Sequence, residues 1–139
     1  MIQFPGSPPA GLGLASGRLA PCPERPNCVS SRATSATQAV APLAYDGSAD
    51  TAWRRLCEAV QALGRATIVE NARVGGTRYL RVEFRSSLLG FVDDAEFALD
   101  EDAEVIHVRS ASRLGRLDFG ANRSRIERIR SGVSQGVPR

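Results

Sequence analysis

The second half of the chain alternates hydrophobic and polar residues with the two-residue period of β-strands. Within residues 77–85, Leu80, Val82 and Phe84 fall on one face, and arginine and glutamate fall on the other. The same pattern, interrupted by turn-forming glycine and aspartate, predicts strands over residues 66–72, 77–85, 91–99 and 104–112. Because the connections between these strands are short, we expect an antiparallel meander.

Two other stretches carry hydrophobic residues every three to four positions, which is the period of an amphipathic helix. Residues 49–63 place Trp53, Leu56 and Val60 on one side, and Gly64 follows the stretch and ends it. Residues 121–131 repeat the pattern with two isoleucines. These stretches predict two helices that each bury one face.

A further short strand is predicted over residues 39–45, where Pro42 favours the edge of the sheet. The element order β-α-β-β-β-β-α predicts an α+β fold, in which an antiparallel sheet of four to five strands is covered on one face by two helices. The 139 residues fit a single domain. Proline and glycine content predicts a flexible leader over 1–20, the domain over 21–131 and a frayed tail over 132–139.

Pairing the strands so that apolar residues stay together predicts a register. It pairs Phe84 with Phe91, Leu99 with Ile106, Arg81 with Asp94, and Glu96 with Arg109. The charged pairs all fall on the face away from the helices. We interpret this face as solvated and held by cross-strand ion pairs, because charged faces usually are.

The same register collects polar residues at one end of the sheet, beside the start of the last helix. They are Asp93, Ser110, Ser112, Arg113, Asp118, Asn122 and Arg123. Two interpretations compete. The first is a structural network that ties a long loop to the sheet. The second is a small pocket for an anion or polar ligand near the helix N-terminus, with Arg113 and Arg123 as clamps.

Several blocks of the chain carry a family resemblance. They read CPERPNCVSS at 22–31, EFRS at 83–86, GFVDD at 90–94 and RSASRLG at 109–115, and are followed by Asp118, Gly120, Asn122, Arg123 and Arg125. Together they resemble the signature of the domain-of-unknown-function family 1499 of bacteria, cyanobacteria and plastids, over about residues 21–130. The resemblance implies a shared fold but supplies no activity. It gives the candidate site residues Arg85, Asp93, Asp94, Arg109, Ser110, Ser112, Arg113, Asn122 and Arg123.

The numbers and positions of the cysteine, histidine and charged residues make several classes of functional site unlikely. Cys22 and Cys28 lie in a proline-rich segment and are interpreted as a disulfide or a thiol pair, since their spacing fits neither a zinc site nor a Cys-x-x-Cys oxidoreductase. His107 is the only histidine, so a catalytic triad is not expected, and no metal or cofactor is expected. The 18 basic residues are all arginine, interleaved with 15 acidic ones, which makes nucleic-acid binding unlikely.

We therefore expect a non-catalytic binding or assembly module whose Arg/Ser/Asp/Asn site holds a small anion or a protein partner. Two alternatives stay open. One is an enzyme that uses Asp93 as acid or base with Arg109 or Arg113 as clamp, and the other is a redox-linked role of Cys22 and Cys28. Without a hydrophobic signal or membrane segment we expect a cytoplasmic protein, or an exported one if the start site is misassigned. Many relatives in the family carry an N-terminal membrane or export segment.

Overall fold

A computed structural model describes residues 6–87, 90–115, 118 and 120–135 of the chain. In chain order the elements are β1 (Leu14–Ala15), β2 (Arg18–Leu19), β3 (Cys28–Ser30), β4 (Leu43–Ala44), α1 (Ala49–Ala62), β5 (Ala66–Val74), β6 (Thr77–Arg85), β7 (Val92–Asp100), β8 (Val105–Ser112) and α2 (Ala121–Gln135). The helix α2 continues past the predicted end at residue 131, so residues 132–135 are helical and not a frayed tail. Residues 136–139 of the predicted tail lie outside the described residues.

The structure is α+β, with a mainly antiparallel sheet and two helices, as predicted. The strands β5 to β8 form the meander, and the sheet order is β3-β8-β7-β6-β5. The sheet has six strands where four to five were expected, because both β3 and β4 pair with β8. The strand expected over residues 39–45 is reduced to the two residues of β4, which follow Pro42 directly.

The register is as predicted between β7 and β8 and is shifted by two residues between β6 and β7. The confirmed pairs are Leu99 with Ile106 and Glu96 with Arg109, whereas Phe84 pairs with Asp93 instead of Phe91, and Arg81 pairs with Glu96 instead of Asp94. Phe91 precedes β7 and is 40% exposed, and its carbonyl accepts a hydrogen bond from the Ser86 amide. A shift by an even number of residues leaves every side chain on its predicted face.

The hydrophobic core lies between the sheet and the two helices. Leu80, Phe97 and Val108 face it from three neighbouring strands, and Leu56 and Ile129 face it from α1 and α2. All of these side chains are fully buried. We call this side of the sheet the helix face and the opposite side the outer face.

The outer face is covered rather than solvated, which contradicts the interpretation of its charged residues. Asp94, Glu96 and Arg109 are 1%, 0% and 5% exposed. The hairpin of β1 and β2 lies against this face, with Leu19 packed on Tyr79 and on a neighbouring alanine. The composition predicted a flexible leader over residues 1–20, but residues 14–19 form this packed hairpin, and residues 1–5 lie outside the described residues.

The proline-rich segment after the hairpin is non-helical, as expected. A disulfide and a pairing with the edge of the sheet hold it in place. Cys22 and Cys28 form a disulfide. Cys28 is fully buried as the first residue of β3, so the disulfide ties the segment to the edge of the sheet. Asn27, directly before it, is also buried and donates a side-chain hydrogen bond to the Gly115 carbonyl.

Candidate functional site

The sheet separates the candidate residues into two groups. Asp93, Ser110, Ser112 and Asn122 lie on the helix face, Asp94, Arg109 and Arg113 lie on the outer face, and Arg85 and Arg123 lie apart from both groups. Arg113 and Arg123 therefore cannot clamp one ligand as the sequence analysis proposed. The polar residues of the helix face do converge, at the rim formed by the start of α2 and the ends of β7 and β8.

Asn122, in the first turn of α2, is the centre of the helix-face group. Its Oδ1 accepts a hydrogen bond from Ser110 Oγ at 2.6 Å. Its Nδ2 donates to Ser112 Oγ at 3.0 Å, to the Asn27 carbonyl at 3.1 Å and to Asp118 Oδ2 at 2.7 Å. The side chain is completely buried, so these bonds are needed to offset its desolvation. They join α2, β8 and the disulfide segment into one rigid unit.

Arg125 completes this group, although the sequence analysis did not include it among the site residues. Its Nη1 donates to Asn122 Oδ1 at 2.9 Å, and its Nη2 donates to Asp93 Oδ2 at 2.8 Å. The guanidinium also lies over the Phe84 ring, 4.6 Å from its centroid, in a cation–π contact. Its Nη1 also donates to Ser110 Oγ at 3.3 Å, so four different partners hold Arg125 in one orientation.

On the outer face, Arg113 forms ion pairs with two carboxylates. Its Nε and Nη2 donate to Asp94 at 2.7 and 2.9 Å, and its Nη2 also donates to Glu83 at 2.6 Å. The hydrogen bonds to Asp94 raise the pKa of Arg113 above its ordinary value, against the opposing effect of burial. A guanidinium that is saturated by two carboxylates has no charge left for an external anion, so Arg113 is a structural residue.

Arg109 and Tyr79 share a carboxylate beside this pair. Arg109 Nη1 lies 3.5 Å from Glu96 Oε1, and the Tyr79 hydroxyl donates to Glu96 Oε2 at 2.5 Å. The Gly13 amide of the N-terminal hairpin donates to the same oxygen at 2.7 Å. Burial raises the pKa of Tyr79 well above its ordinary value, and the hydrogen bond to Glu96 raises it further. These buried ions hold the hairpin against the sheet.

The two remaining candidate residues, Arg123 and Arg85, donate hydrogen bonds to backbone carbonyls. Arg123 donates to the carbonyls of Ala39 and Thr37 at 2.9 and 3.0 Å, which fastens α2 to the segment between β3 and β4. Arg85 donates to the Gly90 carbonyl at 3.3 Å and is exposed. Arg85 also lines a cavity, whereas Arg123 does not line the cavities described below.

A cleft of about 290 Å³ lies beside the rim, between the end of α1, the end of β6 and the start of α2. We call it the arginine cleft, because Arg65, Arg85, Arg125 and Arg128 line it. None of the residues that line it is acidic. The side chains of Arg65 and Arg128 make no hydrogen bond or ion pair with another residue in the described part of the chain.

The spacing of the helix arginines could have indicated this cleft. Arg125 and Arg128 are three positions apart in a predicted helix, so they share a face. The approach of Arg65 and Arg85 to that face depends on packing, because Arg65 follows α1 and Arg85 ends β6. The Arg85 amide donates to the Arg65 carbonyl at 3.0 Å, which places these two residues side by side.

A second cavity, of about 330 Å³, lies on the other side of the ion pair between Asp93 and Arg125. We call it the rim cavity. Its polar lining includes Asp93, Ser112 and Asp118, and its apolar lining includes Val92 and Leu114. Asp93 Oδ1 accepts no hydrogen bond from the residues that the structure describes.

Ser31 and His107 form a further polar pair that the sequence did not predict. Ser31 Oγ and His107 Nδ1 are 3.0 Å apart, and the Val108 amide donates to Ser31 Oγ at 2.9 Å. Burial lowers the pKa of His107, and the positive charge of Arg32 lowers it further. Within the described residues no carboxylate is hydrogen-bonded to His107, so the pair lacks the third member of a triad.

The described part of the chain contains no group of three or more His, Cys, Asp or Glu side chains that could hold a metal ion. Asp93 has one hydrogen-bonding partner there, Arg125, and no nucleophilic side chain is bonded to it. Both cysteines of the predicted pair are in a disulfide, and Cys57 is a separate free thiol in α1.

A family model described as "Protein of unknown function (DUF1499)" matches residues 18–133. The chain belongs to the DUF1499 family. No curated protein and no solved structure matches it. The matched part of this DUF1499 chain runs from β2 into α2 and contains the arginine cleft and the rim cavity. No described helix is long and apolar enough to cross a membrane.

Proposed function

We propose that this DUF1499 domain is a non-catalytic binding module that holds a small multivalent anion, such as a phosphate monoester, in the arginine cleft. The observation that carries the proposal is the convergence of four guanidinium groups from three parts of the fold on one cleft whose lining contains no carboxylate. Arg125 is paired with Asp93, whereas Arg65 and Arg128 have no acidic partner among the described residues, so their like charges repel each other and a bound anion relieves this repulsion.

The chemistry of the lining favours phosphate and carboxylate groups. Guanidinium is planar and donates two parallel hydrogen bonds to such oxygens, and these charge-assisted bonds are about twice as strong as neutral ones. The cleft also presents Ser124, whose hydroxyl can donate to an anion. A volume of about 290 Å³ suits a small molecule or a single anionic group, and not a nucleic-acid backbone.

The polar network of the rim supports the same proposal, because it orients one wall of the cleft in advance. Arg125 is held by Asp93, by Asn122 and by the Phe84 ring, so little rotamer entropy is lost when it binds an anion. The network is thus both a structural device and a means of positioning Arg125. The two interpretations of the rim residues are therefore compatible.

Isothermal titration calorimetry at low salt tests the proposal, with inorganic phosphate, sulfate, citrate and acetate as probes. We expect phosphate and citrate to bind more tightly than acetate, and we expect added salt to weaken binding. Arg65→Gln and Arg128→Gln should each weaken phosphate binding about tenfold, because each removes a charge-assisted hydrogen bond.

Arg54→Gln is the matched control. Arg54 lies exposed on α1, away from the cleft lining, and pairs with Glu58, so the substitution removes the same charge elsewhere. If phosphate does not bind at millimolar concentration, or if Arg54→Gln weakens binding as much as Arg65→Gln, the cleft is not an anion site.

A further inference from the structure

The rim cavity has the opposite charge character to the arginine cleft. Among the residues that the structure describes, Asp93 and Asp118 are the charged ones in its lining, and none of the described lining residues is basic. Its other lining residues include the apolar Val92, which is 1% exposed, and Leu114, which is 43% exposed and offers the larger apolar surface. A volume of about 330 Å³ is large enough for one aromatic ring with a short substituent.

The two carboxylates of the rim cavity differ in how their oxygens are used. Asp118 is saturated, because Oδ1 accepts from the Gly120 amide and Oδ2 accepts from both nitrogens of Asn122. Asp93 uses only Oδ2, which accepts from Arg125, and its Oδ1 accepts no hydrogen bond from the described residues. Asp93 is 14% exposed at the side chain, so this oxygen is shielded without being sealed off.

From these features we infer that the rim cavity binds an organic ammonium ion with an apolar body. The ammonium group donates to Asp93 Oδ1, and the apolar body packs against the Val92 and Leu114 side of the cavity. A carboxylate in partly buried surroundings attracts a cation more strongly than one in open solvent. The apolar walls select against inorganic cations, which gain nothing from them.

The position of Asp93 couples the two cavities. Asp93 is the acidic partner of Arg125, and Arg125 lines the arginine cleft. A cation bound to Asp93 competes with Arg125 for the carboxylate charge and leaves the guanidinium more available to an anion. Cation and anion binding should therefore strengthen each other, by the same factor in both directions. This coupling rests on the proposed function, whereas cation binding by itself does not.

Phenethylammonium is a suitable probe, with phenethyl alcohol as its neutral analogue and ammonium chloride as the cation without an apolar body. Binding to the full chain is measured by calorimetry and by NMR chemical-shift changes of the Asp93 and Ser112 amides. We expect phenethylammonium to bind at least tenfold more tightly than either comparison compound. Equal binding of phenethylammonium and phenethyl alcohol, or no binding at millimolar concentration, would overturn the inference.

Two substitutions locate the site. Asp93→Asn keeps the shape but removes the charge, so the preference for the ammonium over the alcohol should disappear, while Asp102→Asn in the exposed β7–β8 turn should leave it intact. Leu114→Ser, at an exposed and therefore tolerant position, should weaken phenethylammonium and phenethyl alcohol alike. If Asp93→Asn still prefers phenethylammonium to phenethyl alcohol, the cation binds at another site.

A final titration separates this inference from the proposed function. Phosphate affinity is measured with and without saturating phenethylammonium, and we expect an increase of at least threefold. If phenethylammonium binds and phosphate affinity does not change, the coupling is wrong and the cation site stands. If phosphate fails to bind under either condition, the proposed function fails, and the ammonium preference still decides the cation site.

Discussion

At the scale of single residues, Gly132 leaves no room for a side chain. It lies in α2 where this helix crosses α1, and a Cβ atom built there would lie 2.6 Å from the Ala59 Cβ. Alanine favours a helix over glycine by about 1 kcal/mol, but overpacking of this kind costs about 1–3 kcal/mol. We therefore expect Gly132→Ala to lower the free energy of unfolding, as measured by urea denaturation followed by Trp53 fluorescence.

Ser131→Ala, at the neighbouring exposed position, provides the control and should be neutral or slightly stabilising. Adding Ala59→Gly to Gly132→Ala should recover part of the lost stability, because it removes the methyl group that the new Cβ meets. The effects of the two substitutions should therefore not be additive. A Gly132→Ala protein as stable as the wild type would show that the helices are not in contact there.

Residue partners were harder to predict than residue faces. Alternation placed Asp93, Ser110 and Asn122 near one another, and the structure joins Asn122 to Ser110 directly. Continued alternation would have placed Arg113 on the outer face with Arg109, but Arg113 follows the last residue of β8 and was grouped with the rim residues instead. It also gave no reason to select Arg125, whose role depends on the ring of Phe84 and the carboxylate of Asp93 meeting it in space.

At the scale of elements, the start of α2 depends on a single carboxylate. Burial by itself raises the pKa of Asp118, but the hydrogen bonds that it accepts from Asn122 and Gly120 outweigh burial and lower the pKa below its ordinary value. A group with a lowered folded-state pKa stabilises the protein above the unfolded pKa of about 3.9, and this contribution is lost as the pH falls through the folded pKa.

We therefore expect part of the loss of stability below about pH 4 to come from Asp118. Asparagine also caps helices well, so Asp118→Asn should fold at neutral pH and show a shallower decline in unfolding free energy between about pH 4 and 2. The measurement is a series of urea denaturations over this pH range. Asp102→Asn, which removes a carboxylate from an exposed turn, is the control, and an unchanged slope in Asp118→Asn would contradict the assignment.

The disulfide is the second device at the element scale. It closes a short loop and holds β3 at the edge of the sheet next to β8. By the chain-entropy argument a loop of this size contributes about 2 kcal/mol. Dithiothreitol should lower the denaturation midpoint of the wild type and of Cys57→Ser, but not that of the double variant Cys22→Ala/Cys28→Ala. Equal midpoints with and without reductant in the wild type would contradict this.

The same disulfide bears on where the protein works. Structural disulfides are typical of oxidising compartments and rare in a reducing cytoplasm. It therefore weighs against the cytoplasmic location expected from the sequence, which stays a prediction. A redox-linked role of Cys22 and Cys28 also stays a prediction. Cys28 is completely buried, which disfavours rapid thiol exchange at that sulfur.

Long helices and strands could be predicted from the sequence, whereas most of the short strands could not. The long strands β6 to β8 and the helices α1 and α2 each bury one face, so their period is visible in the sequence, whereas β5, although nine residues long, has no fully buried residue. The short strands β1 to β4 have two or three residues each and exist because a neighbour accepts their backbone hydrogen bonds. The register error between β6 and β7 has a similar origin. It assumed that Phe91 must be buried beside Phe84, whereas Phe91 is 40% exposed.

At the scale of the whole molecule, the sheet separates two polar systems with different roles. On the helix face, polar groups meet at the rim and border both cavities. On the outer face, buried ions bind one another and the N-terminal hairpin. Buried ion pairs add little net stability, but the loss of one partner is costly, so this face needs its cover.

The cover depends on Leu19, which is 5% exposed and packs on Tyr79. Leu19→Ala should lower the free energy of unfolding by about 2–3 kcal/mol, because it leaves a cavity above the sheet. Leu14→Ala, at a half-buried position in the same hairpin, should cost less. Urea denaturation measures both. If neither substitution changes stability, residues 6–20 form the flexible leader that their composition predicts, and the charged outer face is open to solvent.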